Sequence, residues 1–344
     1  MADGALERVL VQVTIVSYRT AELVKKSLLA LERERQEQAR HGIDITCFII
    51  DNSGQDYEAV RAEVDSRGWG GWITVVLAER NGGFAYGNNR GFEHGLGQAI
   101  VPDFFYLLNP DAEIRPGAVA ELVRFMRAQP GAGAAGSGIE DHDGSLWPVA
   151  FRFPNVWDEF SRGVRLGLVA KALSRFVTAR EMSGEPEQID WFPGAGMIVR
   201  REVLEQLGGM DETYFLYFEE VDFCLKLVRN GWTNWYVPSS RITHETGQST
   251  GVTAAGNGFA RLPRYWFESR RRYFLKNHGP AYAVVTDLVA VCAHALGWLQ
   301  LSLRGRGKEV RQRFLLDLIE YGALPPSGRE LIEAKELLLP KGGT

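Results

Sequence analysis

Short β-branched runs alternate with longer amphipathic patterns through the first third of the chain. Val9–Val16 (VLVQVTIV) predicts a strand, and Thr20 is placed to cap a helix carrying Leu23, Leu28 and Leu31 on one face. Ile45–Ile50, Ile73–Leu77 and Phe104–Leu108 predict three further strands. Asn81-Gly82-Gly83 leads into a helix ending near Leu96, and Pro116 suits the first position of another. Strand and helix alternating at this spacing predict a parallel sheet with helices on both faces.

From about residue 132 to residue 193 the periodicity fades. Gly and Ala fill Gly131–Gly138, and aromatic and basic residues mix from Phe151 to Pro186. The expectation is a long insertion over one end of the sheet. Order returns with a short strand at Met197–Val199, a helix over Glu219–Asn230 closed by Gly231, and a strand near Trp232–Tyr236. After Leu262 the pattern is helical and includes the basic cluster Arg270-Arg271-Arg272.

Composition narrows the class. The 344 residues exceed one typical domain, and 45% apolar with 24% charged residues is globular, not disordered or collagen-like. A net charge of −4 argues against nucleic acid as a partner. Three scattered cysteines, Cys47, Cys224 and Cys292, fit neither a disulfide framework nor a CxxC zinc site, and suit a reducing cytosol. The opening MADGALERVLVQ lacks a continuous apolar core, so no secretory signal is expected. Ala281–Leu301 is apolar but carries Asp287, His294 and Gln300, and reads as a buried or interfacial helix, not a span.

Ligands of open parallel sheets bind beyond the carboxyl ends of the strands. Ser17-Tyr18, Asp51-Asn52 and Asn109-Pro110-Asp111 stand at three such ends. Each alone reads equally well as a turn initiator; three at one edge point to a site. Asp111 directly follows FFYLL, and its carboxylate suits Mg²⁺ or Mn²⁺ held against a diphosphate. His244, just past the 232–237 strand, is a candidate second ligand, with a structural histidine as the alternative. Glu219, Glu220 and Asp222 open one helix. Either they complement its dipole, at a few tenths to about 1 kcal/mol each, or one is a general base. The glycines of Asn81–Gly91 allow close backbone approach and Arg90 is a candidate phosphate contact, although the spacing is neither GxGxxG nor GxxxxGK[ST].

Six segments in order carry a resemblance: Val13–Tyr18, Ile50–Ser53, Asn81–Gly91, Leu107–Asp111, Trp191–Gly196 and Phe215–Asp222. Over roughly Val9 to Gly279 the chain resembles the family 2 inverting glycosyltransferases of the GT-A fold, in the rhamnosyltransferase-like branch that also includes galactofuranosyltransferases. The resemblance implies an α/β fold with a Rossmann-like, mostly parallel sheet. It implies a catalytic domain over residues 1–262, with a nucleotide-sugar half to about 112 and an acceptor half beyond, then a helical region over 263–344. By motif position, Asp51 contacts the nucleotide base with Ser17 and Tyr18 in the same pocket. Asn81, Gly82 and Asn89 border the nucleoside and sugar, and Trp191 borders the sugar. Asn109 and Asp111 occupy the metal-binding DxD position, His244 completes the Mg²⁺ or Mn²⁺ site, and Glu220 is the base, with Glu219 and Asp222 as alternates.

Two departures stand out: Asn109 replaces the first aspartate of DxD, and Glu220 replaces the usual catalytic aspartate. The expected reaction moves rhamnose from dTDP-rhamnose to a hydroxyl of a glycan or lipid-linked acceptor in bacterial surface polysaccharide synthesis. A galactofuranosyl or other UDP-hexose transferase, and an inactive nucleotide-sugar-binding protein, are the alternatives. The expected location is the cytoplasm. Arg270–Arg272, Lys276, Arg304, Arg306 and Lys308 flank the apolar C-terminal stretch, which reads either as a peripheral contact with the inner membrane face or as a helical cap or dimer interface.

Overall fold

The computed structural model describes residues 8–141, 144–244, 261–307, 311 and 313–323; Lys308 lies outside them. Strand β1 (Val9–Ser17) is flanked by β2 (Ile43–Asp51) and β4 (Phe104–Leu108), both parallel to it, and β3 (Ile73–Leu77) extends the parallel run beyond β2. Helices α1 (Ala21–Ala39), α2 (Tyr57–Ser66) and α4 (Ala118–Ala128) pack together on one face. There Val11, Val13 and Ile15 of β1 are fully buried.

The opposite face explains the glycines of α3 (Gly83–Leu96). Gly87, Gly91 and Gly95 recur every four residues and so share one side of the helix. A Cβ at these positions would lie 2.6 Å from Val16, 2.3 Å from Thr14 and 2.4 Å from Phe105. These glycines let α3 lie flat on the sheet, and Gln12 donates to the Gly91 carbonyl at 2.7 Å to lock the contact. The guanidinium of Arg90, the candidate phosphate contact, pairs with Glu93 and Glu212 at 2.6 and 2.9 Å.

Beyond β4 the sheet turns mixed, in the order β3-β2-β1-β4-β8-β6-β9-β5. Strand β8 (Gly196–Arg200) is antiparallel to β4, and β6 (Ala132–Glu140) is antiparallel to β8 and parallel to β9 (Thr233–His244). Strand β5 (Ala112–Ile114) closes the far edge antiparallel to β9, and β7 (Glu187–Ile189) pairs with β9. The expected insertion therefore begins later than residue 132. The sequence AGAAGSGIE of β6 is a fully buried central strand, and its small residues make room for neighbours such as the Phe192 ring, 2.5 Å from a Cβ at Gly136.

The segment after β6 supplies α5 (Val156–Val164) and α6 (Gly167–Ala172). Helices α7 (Arg201–Leu207) and α8 (Glu219–Arg229) follow β8, and α9 (Arg264–His278), α10 (Pro280–Leu303) and the short α11 (Phe314–Asp317) end the described chain with a π turn over Leu318–Ala323. Helix α10 packs along α5 and α9.

The basic cluster points inward, which corrects its reading as a membrane-facing patch. Arg270 is fully buried between Glu159 at 2.9 Å and Asp287 at 2.7 Å. Arg271 pairs with Asp287, and Arg272 reaches Asp211 at 2.8 Å. Buried charge is tolerated only when paired, and here the pairing ties α5, α9 and α10 together. Arg270→Met takes one of two cationic partners from each of Glu159 and Asp287, which keep Arg162 and Arg271, and is expected to cost about 1.5–3 kcal/mol in urea unfolding; a loss below about 0.5 kcal/mol would contradict this role.

Candidate active site

The loops at the carboxyl ends of β1 and β2 are held by two aspartates. Asp51, 1% exposed, accepts four hydrogen bonds: Ser53 N–H (2.7 Å) and Oγ (2.6 Å) on one oxygen, Asp56 and Tyr57 N–H (2.9 Å each) on the other. Its carboxylate thus shapes the turn into α2. Asp56, which has no separate signal in the sequence, accepts from the Ser17 hydroxyl and from Thr20 N–H at 2.9 Å. Ser17 is therefore buried and engaged, while Tyr18 beside it is half-buried with Arg19 over its ring.

Neighbouring loops interlock. Asn52 donates to the Gly83 carbonyl at 2.9 Å, and the Asn81 amide oxygen accepts from Gly83 N–H at 3.2 Å. Gly82 faces the Tyr86 ring, 2.3 Å from where a Cβ would stand. Gly83 has φ +84, and its Cβ would stand 1.8 Å from the Phe215 carbonyl oxygen. Asn89 is turned away from this junction: it holds Met210 by bonds of 2.8 and 2.9 Å and donates to Glu212 at 2.9 Å. It thereby fastens the loop after α7 to α3.

At the end of β4, Asn109, Asp111 and His244 meet. Pairing of Ala112 with His244 across β5 and β9 brings His244 Nε2 to 3.0 Å from Asp111 Oδ1 and 3.3 Å from the Asn109 amide. Asp111 is 6% exposed. His244 is the last residue of β9, not a residue beyond the strand. The approach depends on an irregularity: Ser137 pairs with Val237 but Gly138 pairs with Arg241, so three extra residues including Pro238 bend β9 toward β5.

Loop 193–195 joins this cluster to the acids of α8. Asn109 N–H donates to the Ala195 carbonyl at 3.1 Å, and Gly194 N–H reaches the Glu220 carboxylate. Tyr217 and Phe218, immediately before α8, adopt left-handed φ values of 69° and 67°. Such backbone is costly for aromatic residues and needs support from its surroundings; Tyr265 of α9 packs against the rings of Phe215 and Tyr217. Glu219 is 2% exposed, Glu220 is half-buried, and each has one buried carboxyl oxygen without a hydrogen-bond partner. Burial pushes both carboxyls above the ordinary range, Glu219 well above with the Glu220 charge adding to it. Backbone N–H groups, including that of Gly194, and the Glu219 side chain pull Glu220 back. The pair accordingly favours a proton on Glu219 and charge on Glu220.

The remaining acid is spent elsewhere. Asp222 accepts from Lys276 and Asn277 of α9 at 2.6 and 2.7 Å and from Tyr214 at 3.2 Å. Trp191 stacks on Phe151 with centroids 4.6 Å apart and donates its indole N–H to the Arg152 carbonyl at 2.9 Å.

The glycosyltransferase-like family 2 model matches residues 11–258. The chain belongs to glycosyltransferase family 2. Among relatives of the family, an N-acetylglucosaminyl-diphospho-decaprenol L-rhamnosyltransferase of Mycobacterium tuberculosis is 36% identical over 166 residues, 47% of this chain and 53% of that protein. The chain thus spans about half the length of that relative. The dTDP-rhamnosyl transferase RfbF of Shigella flexneri is 24% identical over 277 residues, 78% of this chain and 82% of that one. Among solved structures, GalNAc-T7 with UDP, GalNAc and Mn²⁺ aligns with a TM-score of 0.55 at 16% identity, covering 93% of this chain and 59% of that one, and shows the shared GT-A fold.

Among the described residues no group of three or more His, Cys, Asp or Glu side chains is placed to hold a metal. The donor set of Asp111, His244 and the Asn109 amide still fits a hard divalent cation, which takes few protein ligands when diphosphate oxygens and water complete its shell.

Gly83→Ala is expected to part the α3 loop from Phe215 and to lower stability by about 1–3 kcal/mol in urea unfolding. Gly68→Ala is the control, since Gly68 has φ +68 but open space around it. Equal losses in the two variants would mean that backbone strain alone, and not the contact with Phe215, matters at Gly83.

Proposed function

We propose that the chain transfers a sugar, rhamnose from dTDP-rhamnose, to a hydroxyl of a glycan or lipid-linked acceptor with inversion at the anomeric carbon. One observation carries the reading: loop 193–195 is bonded to Asn109 through Ala195 and to Glu220 through Gly194, so the Asp111–His244 pair and the Glu219–Glu220 pair flank one short loop. The names of the mycobacterial and Shigella relatives, both rhamnosyltransferases, support the choice of sugar.

In this reading Asp111, His244 and Asn109 hold Mg²⁺ or Mn²⁺ against the donor diphosphate. When bound, the metal offsets negative charge on the departing nucleoside diphosphate. Ser17, Tyr18, Asp51, Asn81 and Gly82 belong to the nucleoside side, where the Asp51 carboxylate orders the loop that would meet the base. Trp191 and Asn89 act by position, Trp191 as an apolar wall braced by Phe151 and Asn89 as the tether of the 208–212 loop.

Glu220 is the general base. It is the more exposed and more easily ionised of the pair, and Asp222 is neutralised by Lys276. It takes the acceptor hydroxyl proton as that oxygen attacks the anomeric carbon from the face opposite the diphosphate. No covalent intermediate forms, so configuration inverts. Glu219 keeps its proton and steadies the charge on Glu220 by donating to it.

Asp111→Ala is expected to abolish turnover. Glu220→Gln is expected to keep donor binding and lose about 10²–10⁴-fold in transfer rate. Near-normal turnover in either variant would refute its assignment.

The pH profile of kcat/KM tests the pair separately. A base must be ionised, so the rate falls as pH drops through the Glu220 pKa, above the ordinary value of about 4.3. Glu219→Gln retains a donor and leaves this acid limb nearly in place, whereas Glu219→Leu removes it and moves the limb to higher pH. Identical limbs in the two variants would contradict the shared proton.

A further inference from the structure

Helix α10 is built inside out for a helix in water. Its buried side carries Ala283, Thr286, Asp287, Ala290, Ala293, Gly297 and Leu301, mostly small or polar. Its outward side carries Val284, Val285, Leu288, Leu296, Trp298, Leu299 and Leu303, between 48% and 81% exposed. Val284, Leu288, Cys292, Leu296, Leu299 and Leu303 recur every three or four residues and form one stripe along about 30 Å of helix. Asp287, the one Asp, Glu, Lys or Arg of the helix, faces inward to Arg270 and Arg271. A contiguous exposed apolar stripe is the kind of surface that marks an interaction site.

The neighbouring hairpin continues the feature. Gly163 of α5 meets Ala293 and Gly297 of α10, with a Cβ at Gly297 only 2.0 Å from the Gly163 carbonyl oxygen. The residues just after α5 therefore lie beside the C-terminal half of α10, and there Leu166 is 39% and Leu168 86% exposed. From Ser161 to Arg180 the sequence contains five basic residues and no acid; Lys171 and Arg175 are exposed there, while Arg162 pairs with Asp158 and Glu159 and Arg180 with Glu187. Arg304 and Arg306, both exposed, follow the end of α10. An apolar stripe with a cationic rim thus sits on a chain whose net charge is −4.

We propose that the outward face of α10, with the α5–α6 hairpin beside it, is a docking surface for an anionic lipid bilayer. Apolar side chains would enter the headgroup boundary, Trp298 would sit at the polar–apolar junction, and Lys171, Arg175 and Arg304 would meet lipid phosphates. The helix is long and apolar enough to cross a membrane by length and composition alone. It lies on the surface because crossing would pull Asp287 from its two arginines and Gly297 from its seat on Gly163. A second copy of the chain is the poorer occupant, since two-fold pairing sets the cationic rim against itself. The inference deepens the transfer reading, in which a lipid-linked hydroxyl is one of the two acceptor classes, but the docking needs neither donor nor acceptor.

Flotation of the full chain with vesicles of phosphatidylglycerol and phosphatidylcholine, or of phosphatidylcholine alone and free of any acceptor, tests it. The full chain is expected to float with the mixed vesicles and far less with the neutral ones. Leu288→Lys/Leu296→Lys/Leu299→Lys is expected to weaken binding by about tenfold or more while still turning over a water-soluble acceptor. Because that variant may misfold, quenching of tryptophan emission by brominated lipid in the wild type, lost in Trp298→Phe, supplies a second reading. Absence of flotation, undiminished flotation of the triple variant, or quenching unchanged by Trp298→Phe would overturn the proposal. So would a lipid-free dimer that the triple variant dissolves, which would make the face a self-interface. Flotation without turnover on any acceptor would leave docking standing and count against the transfer reading alone.

Discussion

The arrangement rests on the path of β9. Asp111 and His244 are 133 residues apart and meet at 3.0 Å because β9, past its irregularity, holds β6 along one edge and β5 along the other. Glu140, 7% exposed, stabilises the bend by accepting from Arg115 at 3.0 Å and Arg241 at 2.7 Å, which joins the ends of β6, β5 and β9. Thr243 still pairs with Glu140 of β6, while Ala112 of β5 pairs with His244 on the other edge and so sets the histidine beside Asp111. The candidate site is thus a seam: the parallel strands supply the loops after Ser17 and Asp51, and the mixed strands bring the histidine and α8 toward them.

Electrostatics separates the acids that build the site from those that can react in it. Asp51, Asp56 and Asp222 have their oxygens occupied by backbone N–H groups, hydroxyls or α9 cations, so their charge is used for shape. Glu219 and Glu220 keep a buried oxygen without a partner, in a setting that disfavours two charges. Holding them there requires left-handed backbone at Tyr217 and Phe218, which α9 supports through Tyr265 and through Ser269, whose hydroxyl donates to the Leu216 carbonyl at 3.1 Å. Helix α9 therefore links the 215–218 turn to α10 and the apolar face beyond it.

Much of this is legible in the sequence where one residue pattern has one physical reading. Strands β1 to β4 are apolar runs ending in Ser17, Asp51, Leu77 and Asn109, and α8 shows both its acidic start and Gly231 at its end, with φ +87. Strand β6 is hidden because its residues are small for packing reasons and resemble a loop. The glycines of α3 suggest a phosphate loop but serve flat packing on β1, a distinction that needs the neighbouring strand in view. Arg270–Arg272 look like a surface patch because their acidic partners, Glu159, Asp287 and Asp211, are scattered along the chain. The left-handed turn at Tyr217 and Phe218 has no compositional signal, since glycine or asparagine would be expected there.

The central claim is that a nucleoside diphosphate sugar binds through a divalent cation held by Asp111 and His244. Thermal unfolding of the wild type and His244→Ala with dTDP-rhamnose, with and without Mn²⁺, tests it most directly. Saturation at 100 times the dissociation constant is worth about 2.7 kcal/mol, a readily visible rise in melting temperature. The account predicts that the wild type shows this rise only with Mn²⁺ present and that His244→Ala loses most of it. A rise of equal size in both proteins without metal, or none with any nucleoside diphosphate sugar, would contradict it.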